Sequence, residues 1–209
     1  MNDETEVWVS RAMMDTTLIK GFDSDIYEAD EEKALLGLRM TRRAEIVTPD
    51  QVPKIMWLKP TQKLKNAPDL FLGGGYWIAS AALADVLRQF DLGETKLYPV
   101  SLFRSDRKTP FDGEHFCVAF GEIKDTALPE LSPRLGKVPY RTDPLWTLSL
   151  APEDGDVALS PGATQGVDLW MEPKIRDAFF LSRNLVTALR AAKLTKRLGL
   201  TRCRVIRPN

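Results

Sequence analysis

Residues 68–80 read PDLFLGGGYWIAS, three consecutive glycines followed by an apolar run and a serine. A glycine-rich loop that cradles phosphate needs Lys and then Ser or Thr directly after its last glycine, at a helix N-terminus. Here Gly75 is followed by Tyr76, Trp77, Ile78 and Ala79, and the spacing is not GxGxxG. The helical pattern begins only after Ser80. The triplet therefore reads as a tight turn, in which glycine supplies positive φ, leading into a strand YWIA.

The pattern that starts at this strand has an echo later in the chain. Residues 77–103 are WIASAALADVLRQFDLGETKLYPVSLF, and residues 179–206 are FFLSRNLVTALRAAKLTKRLGLTRCRVI. Both run apolar strand, Ser, helix, Leu-Gly, polar turn, strand. Ser80 and Ser182 stand where an N-cap hydroxyl accepts an orphan backbone N–H. Leu83, Val86, Leu87 and Phe90 fall on one helical face, as do Leu185, Ala188, Leu189 and Ala192. Ser to Gly spans 13 residues in the first copy (Gly93) and 17 in the second (Gly199). The difference is about one helical turn, so a longer second helix is expected. Two β–α–β units around a shared core are the resulting expectation.

Elsewhere the signals are those of short mixed elements. EVWVSRAM alternates like an edge strand, and DEEKALLGLRMTRR opens with acids and closes with bases, as the helix dipole favours. Pro49 and Pro53 bracket a turn. KLYPVSLF, HFCVAFGEI, LWTLSL and DVALS are short apolar or alternating runs between proline- and glycine-marked loops. No linker rich in Gly, Ser or Pro divides the chain. The expectation is one α+β domain with an antiparallel or mixed sheet and few helices, residues 1–67 forming a mixed region packed on a core of residues 68–209.

With 209 residues, 44% apolar and 28% charged, the chain is long enough to bury a sizeable core. It contains no apolar run of the roughly 20 residues that cross a membrane. The opening MNDETEVWVS lacks a basic-then-apolar leader pattern, and Cys117 and Cys203 form no framework, so a reducing cytoplasm is expected. The zero net charge conceals an asymmetry. Residues 1–33 carry ten acids against Arg11, Lys20 and Lys33, whereas residues 181–209 carry eight bases and no acid. A basic end is one form of nucleic-acid footprint. Ends that compensate each other, or are simply solvated, are favoured, because no aromatic is interleaved with the bases after Phe180 to stack on nucleotides.

Catalytic equipment is sparse. His115 is the sole histidine, and a zinc site from His115, Cys117 and Cys203 is one ligand short. HFC places His115 and Cys117 on one face of a strand, where a Cys–His dyad would make a thiolate nucleophile. The core-like run FCVAF favours a buried, inert cysteine instead. No serine has a GxSxG setting. Asp154 and Asp156 in PEDGD fit either a hard cation or acid–base work, or a solvated turn, the commoner meaning. Five tryptophans stand out. Trp77 reads as core, while Trp146 and Trp170 flank a loop-rich stretch, LAPEDGDVALSPGATQG, where a binding edge is expected.

PDLF, the Ser-capped helix, the LYPV strand, the LW.EP segment and the closing Ser-capped helix occur in this order across residues 68–206. In this order they resemble a family of immunity proteins from bacterial polymorphic toxin systems, formerly a domain of unknown function. The resemblance implies a cytoplasmic protein that binds and neutralises a toxin domain; the residues themselves, which offer no coherent active site, agree with a binding protein without catalytic residues, cofactor or metal. On that reading Trp146 and Trp170 anchor the toxin, and Glu153, Asp154 and Asp156 supply polar contacts. The competing readings are an enzyme with Cys117 as nucleophile and His115 as base, and a nucleic-acid-binding module using the basic C-terminal stretch.

Overall fold

In the computed structural model, which describes residues 6–206, the glycine triplet closes a hairpin. Leu70–Gly73 pairs antiparallel with Tyr76–Ser80, and the two residues between them, Gly74 and Gly75, have φ of 56° and 90°. Two positive φ angles are what a two-residue hairpin turn matched to strand twist requires. The turn expected from the sequence is therefore present. The strand runs on to Ser80, whose side-chain oxygen accepts the Leu83 amide at 3.3 Å and starts a helix.

In chain order the first strands are β1 (Val7–Ser10), β2 (Ile19–Lys20), β3 (Phe22–Ser24) and β4 (Ile55–Leu58). Next come β5 (Leu70–Gly73), β6 (Tyr76–Ser80), β7 (Lys96–Phe103) and β8 (His115–Ala119). Five two-residue strands succeed them: β9 (Gly136–Lys137), β10 (Trp146–Thr147), β11 (Ala158–Leu159), β12 (Leu169–Trp170) and β13 (Ile175–Arg176). β14 (Phe179–Ser182), β15 (Leu200–Arg202) and β16 (Arg204–Val205) complete the strands. The helices are α1 (Asp25–Ala29), α2 (Glu31–Arg42), α3 (Ala81–Leu87) and α4 (Arg183–Ala191). The class is α+β with mixed sheets and few helices, as expected. LWTLSL and DVALS each yield only a two-residue strand, interrupted by the neighbouring prolines and turns.

The chain gathers into two compact units. Of the described residues, the first consists of those up to Met14, Phe90–Gly93 and those from Glu122 to Ile206; the second consists of Asp15–Gln89 and Glu94–Gly121. In the second, seven strands form one mixed sheet in the order β2-β5-β6-β8-β7-β4-β3. Phe22, Met56, Phe71, Tyr76, Ile78 and Cys117 fill its core. Acidic Glu31 and Glu32 lead α2, and Arg39 and Arg42 close it, consistent with the helix dipole.

In the first unit the main sheet has the order β12-β14-β1-β15, around a core that includes Val7, Val9, Leu159, Trp170, Ile175 and Phe180. β1 thus pairs antiparallel on both sides, with β14 and with β15. It is a central strand and not the edge strand its alternation suggested. Both of its faces are covered: Val7, Val9 and Ser10 are buried, and Arg190 lies over the Trp8 ring at 4.2 Å.

The echo in the sequence proves to be a structural repeat, with the strands and helix of one copy in each unit. β6 and β7 run parallel with β8 inserted antiparallel between them, and β14 and β15 run parallel with β1 inserted in the same way. The residue that leads an upstream strand, β5 or β12, makes the same contact in each copy. Ser80 N donates to Asp69 O at 2.9 Å and Ser182 N to Asp168 O at 2.9 Å, while each serine hydroxyl donates to the aspartate carboxylate. Eight residues after its serine, each helix places an arginine 4.2 Å over an aromatic ring of the inserted strand, Arg88 on Phe116 and Arg190 on Trp8. Gly93 and Gly199 then turn the chain at φ 54° and 55°. Two points depart from expectation. Each copy packs into its own core cluster. The four extra residues of the second copy are shared between helix and connection, since α4 has nine residues and α3 seven.

Candidate functional site

The segment expected to bind a partner lies in the first unit, and its centre is a knitted loop, residues 149–156. Arg134 reaches Glu153 at 2.9 Å and Asp156 at 3.5 Å, and donates to the Ala151 carbonyl at 3.0 Å. Arg11 donates to the Leu150 carbonyl at 2.9 Å. On the far side Asp154 accepts the Arg202 amide at 2.8 Å, and Gly155 N donates to Arg202 O at 2.8 Å. Three arginines from separate segments therefore fix one loop. That loop holds Leu150 with 83% of its surface exposed, and Glu153 and Asp154 keep most or half of their side-chain surface in water. Asp156 is the most enclosed of the three acids and caps the turn through the Glu153 amide.

Trp146 stands in β10 between β13 and β9, half-buried, and retains a face for contact. Trp170 does not. It is fully buried, stacked at 5.9 Å on Phe180, with the Lys124 ammonium 3.7 Å from its ring centroid. Its indole N–H donates to Glu172 at 3.1 Å, and Glu172 also accepts the Thr126 and Ala127 amides and the Thr126 hydroxyl. The expected anchor is thus corrected to a core residue: a buried indole finds its hydrogen bond inside the protein. The LW.EP segment is architecture, with Glu172 tying the 126–127 backbone to β12.

Two exposed side chains escaped the sequence reading. Leu150 is one; Tyr140, fully exposed in the loop between β9 and β10 with φ 59°, is the other. Pro139 before it and the Thr-Asp-Pro after it were the available signal, because a tyrosine set among turn residues has no strand face to bury against.

His115 and Cys117 do share a face of β8, but both are enclosed in the second unit. Cys117 is fully buried, and burial pushes its thiol pKa up; Cys203 behaves likewise. Burial lowers the pKa of His115, partly opposed by its hydrogen bond to the Gly113 backbone. A hollow of about 460 Å³ lies over the β7–β8 hairpin, lined by Ser101, Phe103, Glu114 and His115 among others. Among the described residues no three His, Cys, Asp or Glu side chains gather to hold a metal, and no helix is long and apolar enough to cross a membrane.

The basic C-terminal stretch is largely engaged within its own unit. Arg183 and Arg202 pair with Glu6, Arg204 donates to the Leu131 carbonyl, and Arg190 covers Trp8. Of the acids of residues 1–33, Glu6 meets the basic end, whereas Asp23 pairs with Lys59 and Glu28 with Arg107; Asp3, Glu4 and Arg207 lie outside the described residues. Compared with known proteins, the chain matches no family model and no curated protein.

Proposed function

We propose that this chain is a non-enzymatic binding protein of the immunity type, which neutralises a toxin domain in the bacterial cytoplasm by covering it. The carrying observation is the 149–156 loop: an exposed leucine and two exposed carboxylates on a backbone held by Arg11, Arg134 and Arg202. A loop already ordered loses little conformational freedom on binding, and a protruding apolar side chain ringed by charge is a common form of interface anchor. Tyr140, fully exposed, and Trp146, half-buried, precede the loop in the same stretch of chain. The toxin as partner comes from the resemblance of residues 68–206 to immunity proteins. Burial of Cys117 and His115 supports this reading over a thiol enzyme, and the engagement of the C-terminal arginines supports it over nucleic-acid binding.

The experiment has two levels. Tagged protein is used to capture its partner from the source cells, and the partner's toxic domain is then expressed with and without this chain. Rescue of growth supports the function, and continued toxicity beside a bound complex sinks it. Leu150→Asp, Tyr140→Ala and Trp146→Ala then test the surface. At least one is expected to weaken binding tenfold or more, as about 1.4 kcal/mol requires. Rescue with all three variants at full affinity moves the contact elsewhere and leaves the function standing.

A further inference from the structure

The outer face of α2 carries an arrangement that the proposed toxin contact does not use. The inner face is fixed: Ala34, Gly37 and Thr41 are buried, and the Tyr76 hydroxyl donates to the Ala34 and Gln51 carbonyls at 3.1 Å each. Opposite them Leu35 and Leu36 stand 43% and 42% exposed at the middle of the helix. Glu32 precedes them by a turn and Arg39 succeeds them by a turn, both on the same outer stripe. Glu32 and Arg39 are seven positions apart, roughly 10 Å along the axis, too far to pair with each other. At i+4 from Glu32 is Leu36, and at i−4 from Arg39 is Leu35. Among the described residues neither Glu32 nor Arg39 makes an ion pair.

A stripe that reads acid, leucine, leucine, base is its own complement when run antiparallel. A two-fold axis midway between Leu35 and Leu36 sets Glu32 opposite the partner's Arg39, and Arg39 opposite the partner's Glu32. The same axis brings the four leucines together between the two ion pairs. Self-complementarity of one patch is the condition for a closed, isologous dimer. We propose that two copies of this chain associate through α2 in this antiparallel register. A 12-residue helix offers less area than a standard stable interface. The dimer is therefore weak, forming at concentrations on the order of 100 μM.

Charge reversal tests the register directly. Arg39→Glu sets acid against acid at both ends, and Glu32→Arg sets base against base. Each variant alone is expected to stay monomeric in sedimentation equilibrium from about 5 to 500 μM, a range over which the wild type dimerises. An equimolar mixture of the two monomeric variants is expected to regain the dimer as a mixed species. Misfolded chains could not be restored by mixing, so this arm separates lost pairing from lost fold. A wild type that stays monomeric throughout overturns the proposal. So does a dimer indifferent to either variant, or one that mixing fails to restore.

Discussion

The Ser182 hydroxyl donates to the Asp168 carboxylate while its oxygen accepts the Leu185 amide at 3.2 Å. One side chain therefore starts α4 and ties it to the residue that leads β12, and Ser80 does the same between α3 and Asp69, which leads β5. Loss of an N-cap costs typically about 1 kcal/mol, and loss of the tether adds a hydrogen bond's worth. Ser182→Ala and Ser80→Ala are each expected to lower unfolding stability in urea by about 1–2 kcal/mol. Ser160, which precedes a short helical turn without capping it through its side chain, serves as control. Ser160→Ala is expected to change stability by less than about 0.5 kcal/mol. Equal effects at all three positions would show that neither the cap nor the tether to aspartate contributes.

Gly37 supplies a case where helix propensity and packing disagree. Alanine in a helix interior is favoured over glycine by about 1 kcal/mol. A Cβ at position 37, however, would lie 2.2 Å from the Gln51 carbonyl oxygen, a backbone atom that cannot swing aside. The clash is expected to dominate, so that Gly37→Ala destabilises by about 2 kcal/mol or more. Gly113, with φ 81° and nothing within 4 Å of a built Cβ, isolates the backbone contribution. Gly113→Ala is expected to cost about 1 kcal/mol. A thermal unfolding series on the two variants reads the order, and a stabilised Gly37→Ala would mean that α2 shifts freely over the 48–53 turn.

Asp50 links that turn to α2 through Lys33, and the Lys33 ammonium and Thr48 hydroxyl hold its carboxyl down at about 2 against an ordinary 3.8. A depressed carboxyl stabilises the fold above its unfolded pKa and ceases to do so as pH falls through its folded one. The stability difference between wild type and Asp50→Asn is thus expected to be flat above about pH 5 and to vanish between about pH 4 and 2. Carboxyl-carbon NMR gives the titration itself. A midpoint near 3.8 would show that the Lys33 contact does not persist in solution.

Thiol chemistry discriminates between binding protein and thiol enzyme. Cys117 and Cys203 are both buried, and burial raises both pKa values. Alkylation near neutral pH is expected to be slow in the native protein and to become fast only in denaturant, since the thiolate is the reactive form. Rapid native labelling at Cys117 would revive a nucleophile at that position.

How much of the fold was legible in the sequence depended on distance along the chain. The Gly74–Gly75 turn, the Ser80 and Ser182 caps and the charge order of α2 are local matters, settled by φ, by one hydroxyl and by dipole. The central place of β1 was not, because its neighbours Phe179–Ser182 and Leu200–Arg202 lie at the other end of the sequence. Alternation in EVWVS looks the same at an edge as in the middle. Trp170 failed for a different reason. The echo begins at the strands that lead into the capping serines, and upstream of it Asp69-Leu70-Phe71 at β5 matches Asp168-Leu169-Trp170 at β12, with three more residues before the serine in the second copy. Phe71 and Trp170 are both fully buried, so carrying the match back to β5 and β12 places Trp170 with the core residues. The arginines that pin Leu150 come from positions 11, 134 and 202, and no local pattern joins them.

The inserted strand of the first unit imposes an order in time. Ser10 donates its hydroxyl to the Leu198 carbonyl across 188 positions, and β1 gains its two neighbours only from residues 179 to 202. On a ribosome adding about 5–20 residues per second, β1 waits roughly 10–40 seconds for them. The second unit, lying wholly between Asp15 and Gly121, is made within that interval. The nascent chain therefore passes through a stage in which one unit is complete while the Val7–Ser10 segment is still unpaired and open to capture by a chaperone.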